Sequence, residues 1–194
     1  MIERDGRIRE FVGYLRSLTR EGQEDRGALA DLRSGLAFVP GHAPRMFRHA
    51  VPYLGDREGR DERWFYVVGT MFGSNPVHRT GMSVGDCFRV YAEKDAEKQE
   101  GDESSPERTK KRRGEARFIA LLGSHPDDLH SHLYHATGLL KSKEIGIDYY
   151  RLLQDLMNWD HADRRVQNQW ARDYYRPREK DNSDQEEQGE EDVE

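Results

Sequence analysis

Residues 125–135, "HPDDLHSHLYH", hold the side chains best suited to metal chemistry in this chain of 194 residues. On a helix, Asp128 and His132 are four residues apart and His132 and His135 are three apart, so a carboxylate and two imidazoles share one face. Such a group can hold a divalent metal, as in hydrolases. No HExxH motif accompanies it, and a solvated helix face explains the same spacing. A helical metal-dependent hydrolase that uses the cluster at 127–135 is therefore the alternative function.

Other catalytic signatures are missing from the sequence. It contains no GxSxG, no GxxxxGK phosphate loop and no GxGxxG after a strand. The single cysteine, Cys87, excludes an intramolecular disulfide and a multi-cysteine zinc site. Cys87 stands beside Phe88 in "SVGDCFRVY", where a small buried residue is expected. We predict no catalytic residue, no metal and no cofactor, and interpret the chain as non-enzymatic.

Basic residues recur along the faces of predicted helices and indicate phosphate binding. Arginines on a helix face bind phosphates bidentately and follow a nucleic-acid backbone without reading its bases. The alternative is an ordinary solvated face, paired with acids such as Asp31 and Asp173. The candidates from the residues alone are Arg33 with Arg26 on the same face, Arg45, Arg48, Arg165, Arg172 with Arg176 after it, and the run of Lys110, Lys111, Arg112 and Arg113.

The elements that position these residues are predicted to be helices almost throughout. Apolar residues recur every three or four positions in "IREFVGYLRSL", "RWFYVVGTMF", "DDLHSHLYHATGLL" and "DYYRLLQDLMNW". Ser83, followed by Asp86 three residues later, resembles the capping box that begins a helix. No alternating strand pattern is present. The predicted fold class is all-α, with two small helical domains, each a helical bundle, in an elongated arrangement.

Charge and periodicity divide the chain into four parts. Residues 94–114 contain Ala96 as their only apolar side chain and predict a charged flexible linker or loop. The linker separates an N-terminal helical domain, 1–93, from a C-terminal helical domain, 115–178. Residues 179–194 predict an acidic disordered tail. Residues 181–194 carry eight acids and no base, so without them the net charge of −6 becomes +2 and the body is mildly basic.

The overall composition is that of a polar protein. Charged residues make up 35% of the chain and the mean hydropathy is −1.02. No apolar run approaches the roughly 18 to 20 residues of a membrane span, and "MIERDGRIREF" lacks the apolar region of a signal peptide. We expect a soluble, cytoplasmic protein without membrane contact.

Five segments in order resemble the CasB family: "LRSGLAFVPGHAPRMFRHAVPYL", "GMSVGDCF", "RFIALLGSHPDDLHSHLYHATGLL", "IDYYRLLQDLMNW" and "QWARDYY". CasB is the small subunit of Cascade, the type I-E CRISPR surveillance complex, and the match runs from about residue 8 to 175. The resemblance implies a non-catalytic, nucleic-acid-binding structural subunit that is present in two copies and acts in antiviral defence. It implies a basic surface that stabilises the R-loop between guide RNA and target DNA and the displaced strand.

The resemblance also implies partners and site residues. The partners are the CRISPR guide RNA and target DNA, the large subunit, the helical backbone subunits and a second copy of the chain. This chain has His132 and Tyr134 where relatives place arginines, and Asp86 where a base is often found. A place near phosphate explains the histidine cluster better than a metal does. The family's basic positions fall on Arg33, Arg117 and Arg164, with Arg45 and Arg48 as neighbours.

Overall fold

A computed structural model describes residues 2–55, 59, 61–97 and 107–176, with side chains for 4–55, 59, 61–96 and 114–176. The helices in this part of the chain are α1 (Ile2–Ser17), α2 (Arg26–Arg33), α3 (Phe47–Ala50), α4 (Arg63–Ser74), α5 (Val84–Glu97), α6 (Glu107–Gly123), α7 (Leu129–Ser142), α8 (Tyr149–Met157) and α9 (Arg165–Tyr175). Short 3₁₀ turns cover Ser34–Ala37, Pro44–Met46 and Val51–Tyr53. The described residues contain one isolated β-bridge, His78 with Ile147, and no strand, and the predicted all-α class is confirmed.

Helix α4 lies at the centre of the core. All its residues from 64 to 73 are buried, as expected for a helix that is apolar on every side. It packs against α2 on one side and against α7 and α8 on another, while α1 packs on α8 and α5 packs on α6 and α9. Contacts of α1 and α4 with later helices therefore cross the predicted boundary between the domains. The division into two domains stays a prediction.

Two glycines allow helices to approach at backbone distance. A Cβ atom on Gly73 of α4 would lie 2.7 Å from the backbone nitrogen of Arg33, and one on Gly85 of α5 would lie 2.0 Å from the carbonyl oxygen of Trp170. Both values are well below van der Waals contact. The α2–α4 and α5–α9 crossings therefore require glycine.

Side-chain caps define several helix starts. The Ser83 backbone N–H donates to Asp86 Oδ2 at 3.0 Å, and the Asp86 backbone N–H donates to Ser83 Oγ at 3.1 Å. This reciprocal pair is the predicted capping box, which is confirmed at the start of α5. Asp25 accepts from the Ala28 backbone at 2.9 Å before α2, and Asp148 accepts from two backbone N–H groups at the start of α8.

A set of hydrogen bonds joins the α4–α5 connection to the segment between α7 and α8. The Asn75 side-chain amide donates to Ile145 O at 2.9 Å, and the Gly81 N–H donates to Asp148 Oδ2 at 2.7 Å. The buried Tyr149 hydroxyl donates to Asn75 O at 2.5 Å. We call this set the inter-loop belt. It satisfies polar groups that α4 would otherwise leave unpaired in the core.

The predicted linker at 94–114 is wrong at both ends. Helix α5 continues to Glu97 and α6 begins at Glu107, so the basic run at 108–113 is helical rather than part of a loop. The reason is that Glu, Lys and Arg are strong helix formers, and a solvated helical turn needs no apolar periodicity. Residues 98–106 and the predicted tail at 179–194 lie outside the described residues.

None of the helices in the described part of the chain is both long enough and apolar enough to cross a membrane.

Candidate nucleic-acid interface

The N-terminal candidates, Arg33, Arg45 and Arg48, lie on three adjoining elements. Arg33 ends α2, Arg45 lies in the 3₁₀ turn Pro44–Met46, and Arg48 lies in α3. The 3₁₀ turn Ser34–Ala37, which follows α2, touches the turn Pro44–Met46, since a Cβ atom on Gly35 would come within 2.5 Å of the Met46 sulfur. The fold therefore brings the three elements that carry these bases together.

Their guanidinium groups differ in what they already bind. Arg33 Nε donates to the carbonyl oxygen of Gly73 at 2.9 Å, which fixes its side chain against the end of α4. Arg45 and Arg48 are exposed and have no hydrogen bond or ion pair with any residue whose side chain the structure describes. They are the two bases of this group that are available to a phosphate.

Large apolar side chains lie exposed in the same segment. Leu36 is 48% exposed, because α2 ends at Arg33 and a 3₁₀ turn follows. The sequence signal for this segment is the concentration of apolar residues around prolines. We call this set the exposed apolar cluster; its members are Leu36, Phe38, Val39, Phe47 and Val51.

Arg117 lies in a groove between α6 and α7, which we call the α6–α7 groove. The groove has a volume of about 560 Å³. Arg117 is exposed and has no hydrogen bond or ion pair with the described side chains. His132 and His135 line the groove with it, on successive turns of α7. The remaining lining residues, Phe88, Ala120, Ala136, Gly138 and Leu139, are apolar or small.

The three candidates near α9 have different surroundings. Arg164 has a left-handed backbone conformation with φ of 50°, and its Nη2 donates to Leu122 O at 2.7 Å at the end of α6. Arg165 is paired with Asp163, with 2.9 Å between Nη2 and Oδ2. Arg172 is exposed and has no partner among the described side chains. Arg172 is therefore the base of α9 most available to an anion.

The basic run continues toward Arg117 along one helix. Lys110, Lys111, Arg112 and Arg113 lie in α6, and Arg113 precedes Arg117 by about one helical turn. The side chains of the run lie outside the described residues.

Side chains of the candidate metal cluster at 127–135 contact other residues or line the α6–α7 groove. Asp127 forms an ion pair with Arg63, with 3.0 Å between Oδ1 and Nη1, and its carbonyl oxygen lies 2.9 Å from His130 Nδ1. His132 and His135 face the groove of Arg117. No group of three His, Cys, Asp or Glu side chains within the described ranges is placed to hold a metal ion. The hydrolase alternative thus has no assembled site to support it.

Buried titratable groups serve the core. Burial raises the pKa of the Cys87 thiol to about 12, which keeps it protonated and makes it a poor nucleophile. Burial also raises the pKa of Asp155 to about 6, although this carboxylate accepts a hydrogen bond from the Trp170 indole at 2.7 Å. Buried His49 lies between Tyr14 and Asp31, with 2.5 Å from Nδ1 to the Tyr14 hydroxyl. These contacts join α1, α2, α3, α8 and α9 internally.

Comparison with known proteins gives a consistent match. The family described as CRISPR-associated protein Cse2 matches residues 28–175. A CRISPR-associated protein Cse2 of Thermus thermophilus is 34% identical over 169 residues, which cover 85% of this chain and 88% of the relative. The crystal structure of a Cse2-family protein of the same organism superposes with a TM-score of 0.69 and 31% identity, covering 87% of this chain and 97% of that one. A chain of a CRISPR RNA-guided surveillance complex shares the fold, with a TM-score of 0.64, 23% identity and coverage of 89% and 94%.

Proposed function

The chain belongs to the CRISPR-associated Cse2 (CasB) family, and we propose that it is a non-catalytic subunit of the type I-E CRISPR RNA-guided surveillance complex, Cascade. In this role two copies bind along the guide RNA and target DNA and stabilise the R-loop and the displaced strand. The chain reads phosphate charge and backbone shape, while base pairing with the guide supplies sequence specificity. The biological outcome is antiviral defence.

The observation that carries this proposal is a set of exposed arginines without acidic partners. Arg45, Arg48, Arg117 and Arg172 have no ion pair within the described part of the chain. A free guanidinium presents five N–H donors to a phosphate without first breaking an internal bond. Arg33, Arg164, Arg165 and the run at 110–113 are secondary contacts in this proposal.

Protein contacts within the complex are assigned to the exposed apolar cluster. Phe47 and Val51 are close in sequence to Arg45 and Arg48, and all four are exposed, so this segment offers both apolar area and charge. Interface cores are typically aromatic and apolar, with arginine among the favoured charged residues. This surface suits a neighbouring subunit or the second copy of the chain.

The test is a charge-removing triple variant, Arg45→Gln, Arg48→Gln and Arg117→Gln, in the assembled complex. We expect target-DNA binding to weaken at least about tenfold, because three charge-assisted contacts are lost from each of the two copies. The slope of log affinity against log salt should fall by about 4 to 5, as expected for six fewer phosphate contacts. Fluorescence anisotropy with a labelled target duplex at several salt concentrations measures both quantities.

The matched control removes three exposed arginines from α1 and the turn after it, namely Arg9, Arg16 and Arg20, and so changes the net charge equally. This variant should keep most of the affinity and the salt slope. Normal target binding by the first variant, in a complex that still contains the subunit, would reject the proposed mechanism. Equal losses in both variants would show that total charge matters rather than these positions.

A further inference from the structure

We propose that the α6–α7 groove holds one unpaired nucleotide of single-stranded nucleic acid, with the base on the apolar floor and a phosphate on Arg117. The inference rests on the proposed nucleic-acid binding and makes it more specific. It names an unstacked nucleotide as the ligand, rather than the regular backbone of a duplex.

The shape of the groove supports a flat ligand. Its volume of about 560 Å³ falls within the usual range of small-molecule sites. Small residues, Ala120 of α6 with Ala136 and Gly138 of α7, keep the floor open. A Cβ atom on Gly138 would meet no atom of the described residues within 4 Å. A planar base can therefore lie between the two helices.

The charge of the groove selects an anionic ligand. Of the eight lining residues whose side chains the structure describes, three are basic, Arg117, His132 and His135, and none is acidic. Glu115, on the same helix, accepts a hydrogen bond from Tyr175 at 3.0 Å and is not part of the lining. A ligand with one negative group and a large apolar face matches this composition better than an apolar peptide side chain.

The apolar floor distinguishes an unpaired nucleotide from a duplex. A duplex presents phosphates and base edges to a helical surface, and its base faces are hidden by stacking. Single strands expose the base faces, which stack on or pack against aromatic, histidine and apolar side chains. Leu139, Ala136 and the imidazole rings offer such surfaces beside the guanidinium.

The experiment uses the purified full chain and two labelled oligonucleotides of equal length and charge. One is oligo-dT, and the other carries abasic residues at every position. The wild type should bind oligo-dT about 5- to 150-fold more tightly, which is the range for loss of base contacts at one stacking site. Gly138→Leu fills the groove and should reduce this preference by most of that factor, while affinity for the abasic strand and its salt slope stay unchanged.

Two further variants keep the result interpretable. Ala120→Leu fills the groove from the facing helix and should act like Gly138→Leu. Gly13→Leu places the same side chain at an open, exposed glycine of α1 and should leave the preference intact. Melting temperatures of all three variants should not fall, because leucine favours a helix more than glycine does and is close to alanine.

The outcomes separate the two proposals. Binding of neither oligonucleotide would overturn the proposed nucleic-acid binding, and this inference with it. Binding of both strands with equal affinity would overturn the nucleotide site alone. Retention of the oligo-dT preference by both filled variants would also overturn it, and would leave the groove to a protein side chain.

Discussion

Arg33 and Arg164 show how one arginine can serve both the fold and a ligand. Each donates from its guanidinium to the carbonyl oxygen of a residue in another helix, Gly73 in one case and Leu122 in the other. These carbonyls lie in the last turn of α4 and α6, where helices leave acceptors unpaired. Replacing either arginine would therefore lower stability as well as charge, which makes Arg45, Arg48 and Arg117 the better test of phosphate binding.

Because the pKa of Asp155 is raised in the folded state, we expect the stability of the protein to depend on pH. Burial raises its pKa from the usual 3.8 to about 6, so the folded state binds this proton more tightly than the unfolded state. The resulting stabilisation is fully present below about pH 4 and is lost as the pH rises through about 6. Asp155→Asn should keep an oxygen acceptor for the Trp170 indole while removing the buried charge. We expect this variant to be more stable at pH 7.5 by about 1–3 kcal/mol.

The measurement is urea unfolding of wild type and Asp155→Asn at several pH values between 4.5 and 7.5. Other carboxylates change the stability of both proteins equally, so the difference between the two curves reports on this one residue. The difference should shrink as the pH falls. Parallel pH profiles would show that Asp155 is not protonated with the raised pKa.

Among the helices, a cap formed by neighbouring residues can be predicted from the sequence, and a contact between residues far apart in the chain cannot. The capping box of Ser83 and Asp86 is contained within four residues, so the sequence alone predicted it correctly. The carbonyl that Arg33 binds is 40 residues away, and its involvement follows only from the crossing of α2 and α4. The start of α6 cannot be predicted from the sequence, because charged residues without apolar neighbours carry no periodic signal.

For the candidate site residues, the sequence predicts which positions carry basic side chains, but not which of those side chains are already bound to another residue of the fold. Sequence reasoning identified Arg117 by its resemblance to the family and His132 and His135 by their spacing. It did not place the three in one groove, because α6 and α7 pack in a register that depends on core side chains such as Phe118 and Leu133. Nor does it separate Arg172, which has no partner among the described side chains, from Arg165, which is paired with Asp163.

Helices α5 and α9 cross so closely at Gly85 that a larger side chain there should disturb their packing. Gly85→Ala should lower the free energy of unfolding by about 1–3 kcal/mol, because its Cβ would fall 2.0 Å from Trp170 O and would push the helices apart. Chemical denaturation measures the change. Gly13→Ala, at an open site on α1, is the control and should raise stability by up to about 1 kcal/mol. Equal stability of Gly85→Ala and wild type would mean that the two helices do not cross this closely.

At the scale of the whole molecule, charge is divided between the body and the C-terminal end. The full chain has a net charge of −6, yet residues 181–194 alone contribute eight acids. A polyanion approaching the arginine surfaces therefore meets a repulsive field that originates outside them. Long-range repulsion of this kind is screened by salt over about 10 Å at 0.1 M.

Removing residues 181–194 should raise affinity for oligo-dT several-fold at about 50 mM salt, because the net charge rises to +2. The gain should disappear as salt is raised to about 300 mM, and anisotropy titrations of both proteins measure it. A variant with the eight acids changed to Asn or Gln keeps the length and separates charge from bulk. Equal affinity of truncated and full-length chains at low salt would contradict this prediction.

The inter-loop belt sets the order in which the structure can be completed during synthesis. Asn75 and Ile145 are 70 positions apart, and the Tyr149 hydroxyl reaches back 74 positions to Asn75 O. A nascent chain that ends before residue 145 holds the buried end of α4 with these polar groups unpaired and without the apolar side chains of α8. The N-terminal helices can therefore complete this packing only after α8 has left the ribosome.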